Sequence, residues 1–201
     1  MKVPSKHIEA AVDQIASLPG IGRRTALRLV LNLLQRSEDE VQAFSDAFTE
    51  MKSNVHQCTT CGNIADQEEC TICLDTRRDE TTICVVEDIR DILAIEATES
   101  YKGRYHVLGG IISPMDGVGP SDLNIQSLVD RVSSGDIHEV IFALSPTMEG
   151  DTTNYYIYKK IRDFEITVST LSRGVSVGSE LQYADEVTLS RSLLHRQPFK
   201  I

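Results

Sequence analysis

The stretch CTTCGNIADQEECTIC, residues 58–73, constrains this chain more than any other. It reads C-x2-C-x8-C-x2-C, two close cysteine pairs joined by a short loop. Each pair forms a tight turn, the first followed by Gly62, that aims two thiolates the same way, and the loop brings the pairs to one tetrahedral ion. The segment is too short and too polar for an apolar core of its own. Metal binding, worth on the order of 10 kcal/mol, is enough to order it. Cys58, Cys61, Cys70 and Cys73 are therefore expected to hold one structural Zn2+ per chain rather than to stand as free thiols or a redox pair. Four thiolates fill the coordination shell and leave no position for a catalytic water. His56 could replace a ligand, but four cysteines suffice. Cys84, inside the apolar run TTICVV, reads as a buried thiol.

No run of about 18 apolar residues occurs, and MKVPSKHIEAAVDQ lacks the apolar stretch of a secretion signal, so a soluble cytoplasmic protein with no membrane partner is expected. That compartment keeps cysteines reduced and available to metal. The net charge of −10 argues against indiscriminate coating of nucleic acid, but it is unevenly spread. Residues 1–57 hold seven Lys/Arg and seven Asp/Glu, which leaves 13 basic and 23 acidic residues in the remainder. Any DNA contact should lie in the N-terminal segment.

Three helices are expected before the cysteines. Ile8, Ala11, Val12 and Ile15 repeat at helical spacing within 7–18, a second apolar-periodic run covers 25–34, and Val41, Phe44, Phe48 and Met51 repeat within 38–55. After the cysteines the pattern changes. TTICVVE, YHVLGGI, EVIFAL and ITVSTL are strand candidates separated by helical stretches at 88–97, 121–133 and 151–163, the signature of a mostly parallel sheet covered on both faces. The loops SPMDGVGP (113–120) and SRGVSVGSEL (172–181) interrupt it, and the tail ADEVTLSRSLLHRQPFKI offers a short strand and a helix. The fold class is α+β multidomain: a helical unit over 1–57, a zinc knuckle over 58–73, an α/β domain over 81–172 and a tail over 173–201.

In LPGIGRRTALRLV (18–30) an apolar-Pro-Gly-apolar-Gly turn joins two helices. Gly20 and Gly22 permit positive φ and close backbone approach, and the helix that follows begins with unpaired N–H groups, so the backbone itself can cradle a phosphate. If Leu27, Val30, Leu31 and Leu34 form the buried stripe, Arg24 and Arg28 lie together at its edge, one turn apart. Arg23, at the helix start, has a less determined direction. The stretch resembles the helix-hairpin-helix motif of DNA-repair proteins, and Gly20, Gly22, Arg24 and Arg28 are the expected DNA contacts. The bland alternative is a helical corner with solvated arginines; dinucleotide binding fails because no strand precedes the glycines.

Functional groups in parallel sheets gather at the carboxyl ends of the strands. VVEDIRDI followed by ALSPTMEGD resembles the Toprim domain of topoisomerases, primases and nucleases, whose first strand ends in a catalytic Glu and whose later strand ends in an Asp-x-Asp metal site. Glu87 matches the Glu; Ser145 and Thr147 stand where the Asp pair should be. A hydroxyl brings no formal charge to Mg2+, which needs one or two carboxylates as anchors. Catalysis is therefore not expected. Glu87, Glu149 and Asp151 remain as an acidic cluster for a partner's basic surface, or, on the enzymatic alternative, as weak Mg2+ ligands of a nuclease. Glu149 and Asp151 also suit a plain helix N-terminus.

The hairpin, the four-cysteine knuckle, the Toprim-like domain without its Asp pair and the tail SRGVSVGSELQYADEVTLSRSL resemble, in order and length, one family: the bacterial recombination mediator RecR. Arg23 departs from it, falling where the family often has Pro. The resemblance implies a non-enzymatic DNA-repair protein, nucleoid-associated, that assembles into a ring-shaped clamp through its N-terminal helices and tail. It also implies work with RecO and RecF to load RecA at gaps coated by single-strand-binding protein.

Overall fold

A computed structural model describes residues 5–196 apart from 176 and 179, together with residue 198. The chain divides into two units, Met1–Val55 and His56–Ile201, and its architecture is α+β.

The first unit holds α1 (Lys6–Ala16), α2 (Arg23–Leu33) and α3 (Glu38–Asn54). Val12 of α1 and Ala26 and Val30 of α2 are its buried centre, flanked by Ile8, Ile15, Ala16, Ile21 and Leu27. The stripe expected on α2 is thereby rotated: Leu27 and Val30 face inward, but Leu31 and Leu34 are exposed. The reason is the small size of the unit, in which α1 covers only the Ala26–Val30 row and leaves the adjoining row of α2 open. α3 starts at a reciprocal cap, in which Glu40 N–H donates to Ser37 Oγ (3.3 Å) and Ser37 N–H donates to Glu40 Oε2 (2.9 Å). Its apolar stripe Val41, Phe44, Phe48 and Met51 is exposed, with the two rings edge to face at 5.0 Å.

In the second unit, β1 (His56–Gln57) and β2 (Ile64–Ala65) form an antiparallel ribbon, and α4 (Thr71–Leu74) follows. The main sheet comprises β3 (Asp79–Val86), β4 (Gly103–Val107), β5 (Glu139–Phe142) and β6 (Thr167–Thr170), ordered β4-β3-β5-β6 with every pair parallel. Its connections run through α5 (Ile89–Glu96), α6 (Ile125–Ser133) and α7 (Met148–Ile161).

The run ICVV in β3 is continuously apolar because both faces of this central strand are covered. Ile83 and Val85 join Leu128, Val132, Val140, Phe142, Ile157 and Ile161 on one side. Cys84 and Val86 join Ile92, Tyr105 and Val107 on the other. Each fully buried aliphatic chain here stabilises by about 1.5–3 kcal/mol. Burial also pushes the Cys84 thiol up to about 12, as suits an inert core residue.

The tail forms α8 (Glu186–Leu194), which begins where the Asp185 carboxylate accepts from Thr188 N–H at 2.9 Å. The short strand expected there is absent among the described residues. An Asp cap at the head of an amphipathic run favours the helix.

Candidate functional site

The zinc centre is built from local turns. Gly62 N–H closes the first knuckle onto the Cys58 carbonyl (2.9 Å), Cys58 N–H reaches the Asn63 carbonyl, and Cys70 N–H donates to Cys58 Sγ at 3.3 Å. Gly62 has φ +75°, and a Cβ there would lie 3.0 Å from the Val107 carbonyl oxygen. Glycine is thus required both by conformation and by the close approach of the knuckle to β4. Val107 N–H completes that junction by donating to the Cys61 carbonyl at 2.7 Å.

All four cysteines are buried, and their Sγ atoms lie within 4.8 Å of one another. A tetrahedral zinc with Zn–S bonds of about 2.3 Å places its sulfurs about 3.8 Å apart; Cys61 and Cys70 Sγ stand at 3.6 Å. Thiols so crowded cannot ionise independently. Hydrogen bonding to Cys70 and Cys73, reinforced by burial, holds the Cys61 thiol above its ordinary value, whereas Cys70, hydrogen-bonded by Cys61 and Cys73, is held below. One divalent cation resolves the conflict by stabilising four thiolates at once. The cluster is a structural four-cysteine zinc site, with no open position for chemistry.

At the hairpin, Gly20 takes φ +77°, while Gly22 is extended at φ −75° and is the N-cap of α2. Positive φ is therefore needed only at Gly20. Gly22 contributes openness: it has no capping side chain, and an added Cβ would meet nothing within 4 Å. Among the described residues, the amides of Gly22, Arg23, Arg24 and Thr25 meet no acceptor. Arg23 turns back onto α1, where it pairs with Asp13 and, at 3.3 Å, with Glu9. Arg24 and Arg28 are exposed and have no ion-pair partner among the described residues. Four free amides and two free cations thus border one helix start, a combination suited to a phosphate ester.

At the carboxyl ends of β3 and β5, Ser145 Oγ donates to Glu87 Oε2 at 3.0 Å. The hydroxyl in the first Asp position is thus a hydrogen-bond donor to the remaining acid. Thr147 caps α7, its Oγ1 accepting from Gly150 N–H at 3.1 Å. Asp151 is held by Arg173 (Nη1–Oδ2 3.1 Å) and approached by Arg191 at 3.7 Å, so the carboxyl is kept below the usual range by Arg173. Of the three acids, only Glu149 is exposed without an ion-pair partner among the described residues. Arg173 and Arg191 escaped sequence reasoning because they lie 22 and 40 residues beyond Asp151 with no motif to connect them.

These features define a class: a zinc-stabilised Toprim-fold protein equipped with a helix-hairpin-helix turn. The chain matches four family models in succession: RecR, helix-hairpin-helix over residues 8–52; the RecR four-cysteine zinc finger domain over 55–75; Toprim domain over 81–172; and RecR, C-terminal over 174–197. It is 58% identical over 200 residues to the recombination protein RecR of Flavobacterium johnsoniae, covering 100% of this chain and 97% of that protein. It is 57% identical over 196 residues to that of Bacteroides thetaiotaomicron (98% and 96%) and 54% identical over 198 residues to that of Porphyromonas gingivalis (98% and 96%). The chain belongs to the RecR family.

Proposed function

We propose that this protein is a recombination mediator in DNA repair, which binds DNA as an oligomer and acts with RecO and RecF to load RecA at single-strand gaps. The observation that carries DNA binding is the hairpin: open amides at the start of α2 beside the unpaired Arg24 and Arg28. Backbone amides recognise phosphate without reading bases, so binding is expected to be independent of sequence. Self-association is supported by the exposed apolar stripe Val41, Phe44, Phe48 and Met51 on α3, a surface more apolar than a solvated helix needs. Several weak hairpins brought to one duplex by an oligomer offset the acidic remainder of the chain through multivalency. Glu87, Glu149 and Asp151, which follow the carboxyl ends of β3 and β5, are the acidic groups offered to basic partner proteins. No helix among the described residues is long and apolar enough to cross a membrane.

Replacing both Arg24 and Arg28 with Ala is expected to weaken binding to all DNA sequences alike. It should also flatten the slope of log K against log[salt] by about 0.9 per lost duplex phosphate contact. Fluorescence anisotropy across a salt series measures both quantities, and unchanged affinity would remove the hairpin from the account.

The competing reading is a Mg2+-dependent nuclease using Glu87, Glu149 and Asp151. Two contacts argue against it: the Ser145 hydroxyl occupies Glu87, and Asp151 is engaged by Arg173. Labelled single-stranded and duplex DNA incubated with Mg2+ or Mn2+ should remain intact. Cleavage that disappears in Glu87→Gln would establish the enzyme instead.

A further inference from the structure

Arg131 of α6 is a half-buried cation without an anion. Among the described residues it makes no ion pair; Nη1 donates to the Tyr105 carbonyl (2.8 Å) and approaches His106 Nδ1 at 3.3 Å. His106 cannot supply the missing charge. Its Nε2 bonds the Asn124 carbonyl at 2.7 Å, and burial lowers its pKa to about 4, so the ring is neutral. Of the nearby carboxylates, Glu80 pairs with Arg104, and neither Asp130 nor Asp136 comes within ion-pair distance of Arg131. A desolvated guanidinium with only neutral partners is costly unless a negative group lies within range.

The zinc centre supplies that group. Four thiolates around Zn2+ carry a net charge of −2, concentrated in a cluster of buried sulfurs. The knuckle docks on the strand segment that Arg131 grips, since Val107 N–H binds the Cys61 carbonyl one strand position from His106 and two from Tyr105. Asn124, which accepts from His106, also donates Nδ2–H to the Val107 carbonyl beside Gly62. Thr60, the residue before Cys61, lines the same cleft as Arg131. Burial disfavours the charged form of Arg131, and the negative charge of the knuckle docked on the same strand segment offsets that cost. At the low effective dielectric of such a site, this attraction is much stronger than at the surface.

We propose that Arg131 is the counter-cation of the zinc tetrathiolate, a positioning residue of the metal centre contributed by the α/β body and not by the cysteine motif. It ties metal occupancy to the packing of α6 against β4, because loss of the ion removes the charge that justifies burying Arg131.

The test is zinc affinity by competition with a chromogenic chelator at neutral pH, on the full chain, for wild type, Arg131→Gln and Arg131→Lys. Gln keeps an N–H donor for the Tyr105 carbonyl but no charge; Lys keeps the charge but not the planar fork. Outer partners of metal ligands are worth about 10–100-fold in affinity, so Arg131→Gln should bind zinc at least about tenfold more weakly, and Arg131→Lys should recover most of the loss. Equal affinity of Arg131→Gln and wild type would overturn the proposal. So would a lysine variant as weak as the glutamine variant, because hydrogen-bond geometry and not charge would then be at work. Should Arg131→Gln fail to fold, Arg131→Lys decides alone: within about threefold of wild type sustains the counter-charge, and a tenfold loss overturns it.

Discussion

Stripping zinc with a chelator at neutral pH is expected to unfold residues 56–75 while β3 and β5 keep their protection. The knuckle's buried cluster consists of its four cysteines and Ala65, with only Ile72 packed beside it. Nothing else in it can replace a metal contribution on the order of 10 kcal/mol, a figure comparable with the whole stability of a typical domain. Once the knuckle opens, Val107 N–H loses the Cys61 carbonyl and β4, an edge strand of the sheet, is uncovered on that side. The damage should therefore spread from the knuckle to β4 before it reaches the strands at the centre. Hydrogen exchange followed by peptide mass spectrometry reads this order directly, and Cys61→Ser should reproduce it. Unchanged exchange over residues 56–75 after verified zinc removal would show that the metal does not hold this segment.

The second large effect is expected at Gly150, in the first turn of α7. A Cβ placed there would fall 2.0 Å from the Ser145 carbonyl oxygen, a backbone atom that cannot move without displacing the end of β5. Its N–H is also the donor to the Thr147 cap. Gly150→Ala should therefore cost about 3 kcal/mol, lowering the melting temperature of the α/β unit by about 6–12 °C. The change should also disturb Ser145 and its bond to Glu87. Alanine is ordinarily the better helix former, so a neutral or stabilising result would mean that the Ser145 turn is not packed as described.

Gly150 also shows where sequence reasoning ends. In ALSPTMEGD a glycine between two acids, just ahead of the helix expected over 151–163, gives no sign of its packing, and only the fold shows it pressed against a carbonyl five residues earlier. The hairpin divides in the same way. Two glycines and a following amphipathic run are enough to expect a tight turn opening onto a helix, because these are local backbone preferences. Which arginine stays free is not local: Arg23 is claimed by Asp13 and Glu9 on α1, leaving Arg24 and Arg28. Leu31 and Leu34 fit the helical period as well as Val30 does, yet remain exposed because α1 covers only one row of α2.

By itself the sequence determined the metal and the helices and strands of the two larger units, though not the ribbon of the knuckle or the absence, among the described residues, of the strand expected in the tail. Periodicity distinguishes helix from buried strand, and cysteine spacing defines a tetrahedral ligand set, since both depend on neighbours within a few turns of chain. It also determined that the Toprim-like site lacks its Asp pair, which is a matter of residue identity. Tertiary structure alone decided how the surviving charges are used. It brings Ser145 to Glu87 across 58 residues, Arg173 to Asp151 across 22, and Arg131 to Tyr105 across 26. Such pairings depend on which strands lie side by side in the sheet and which helices cover them, and no local pattern of residues encodes that adjacency.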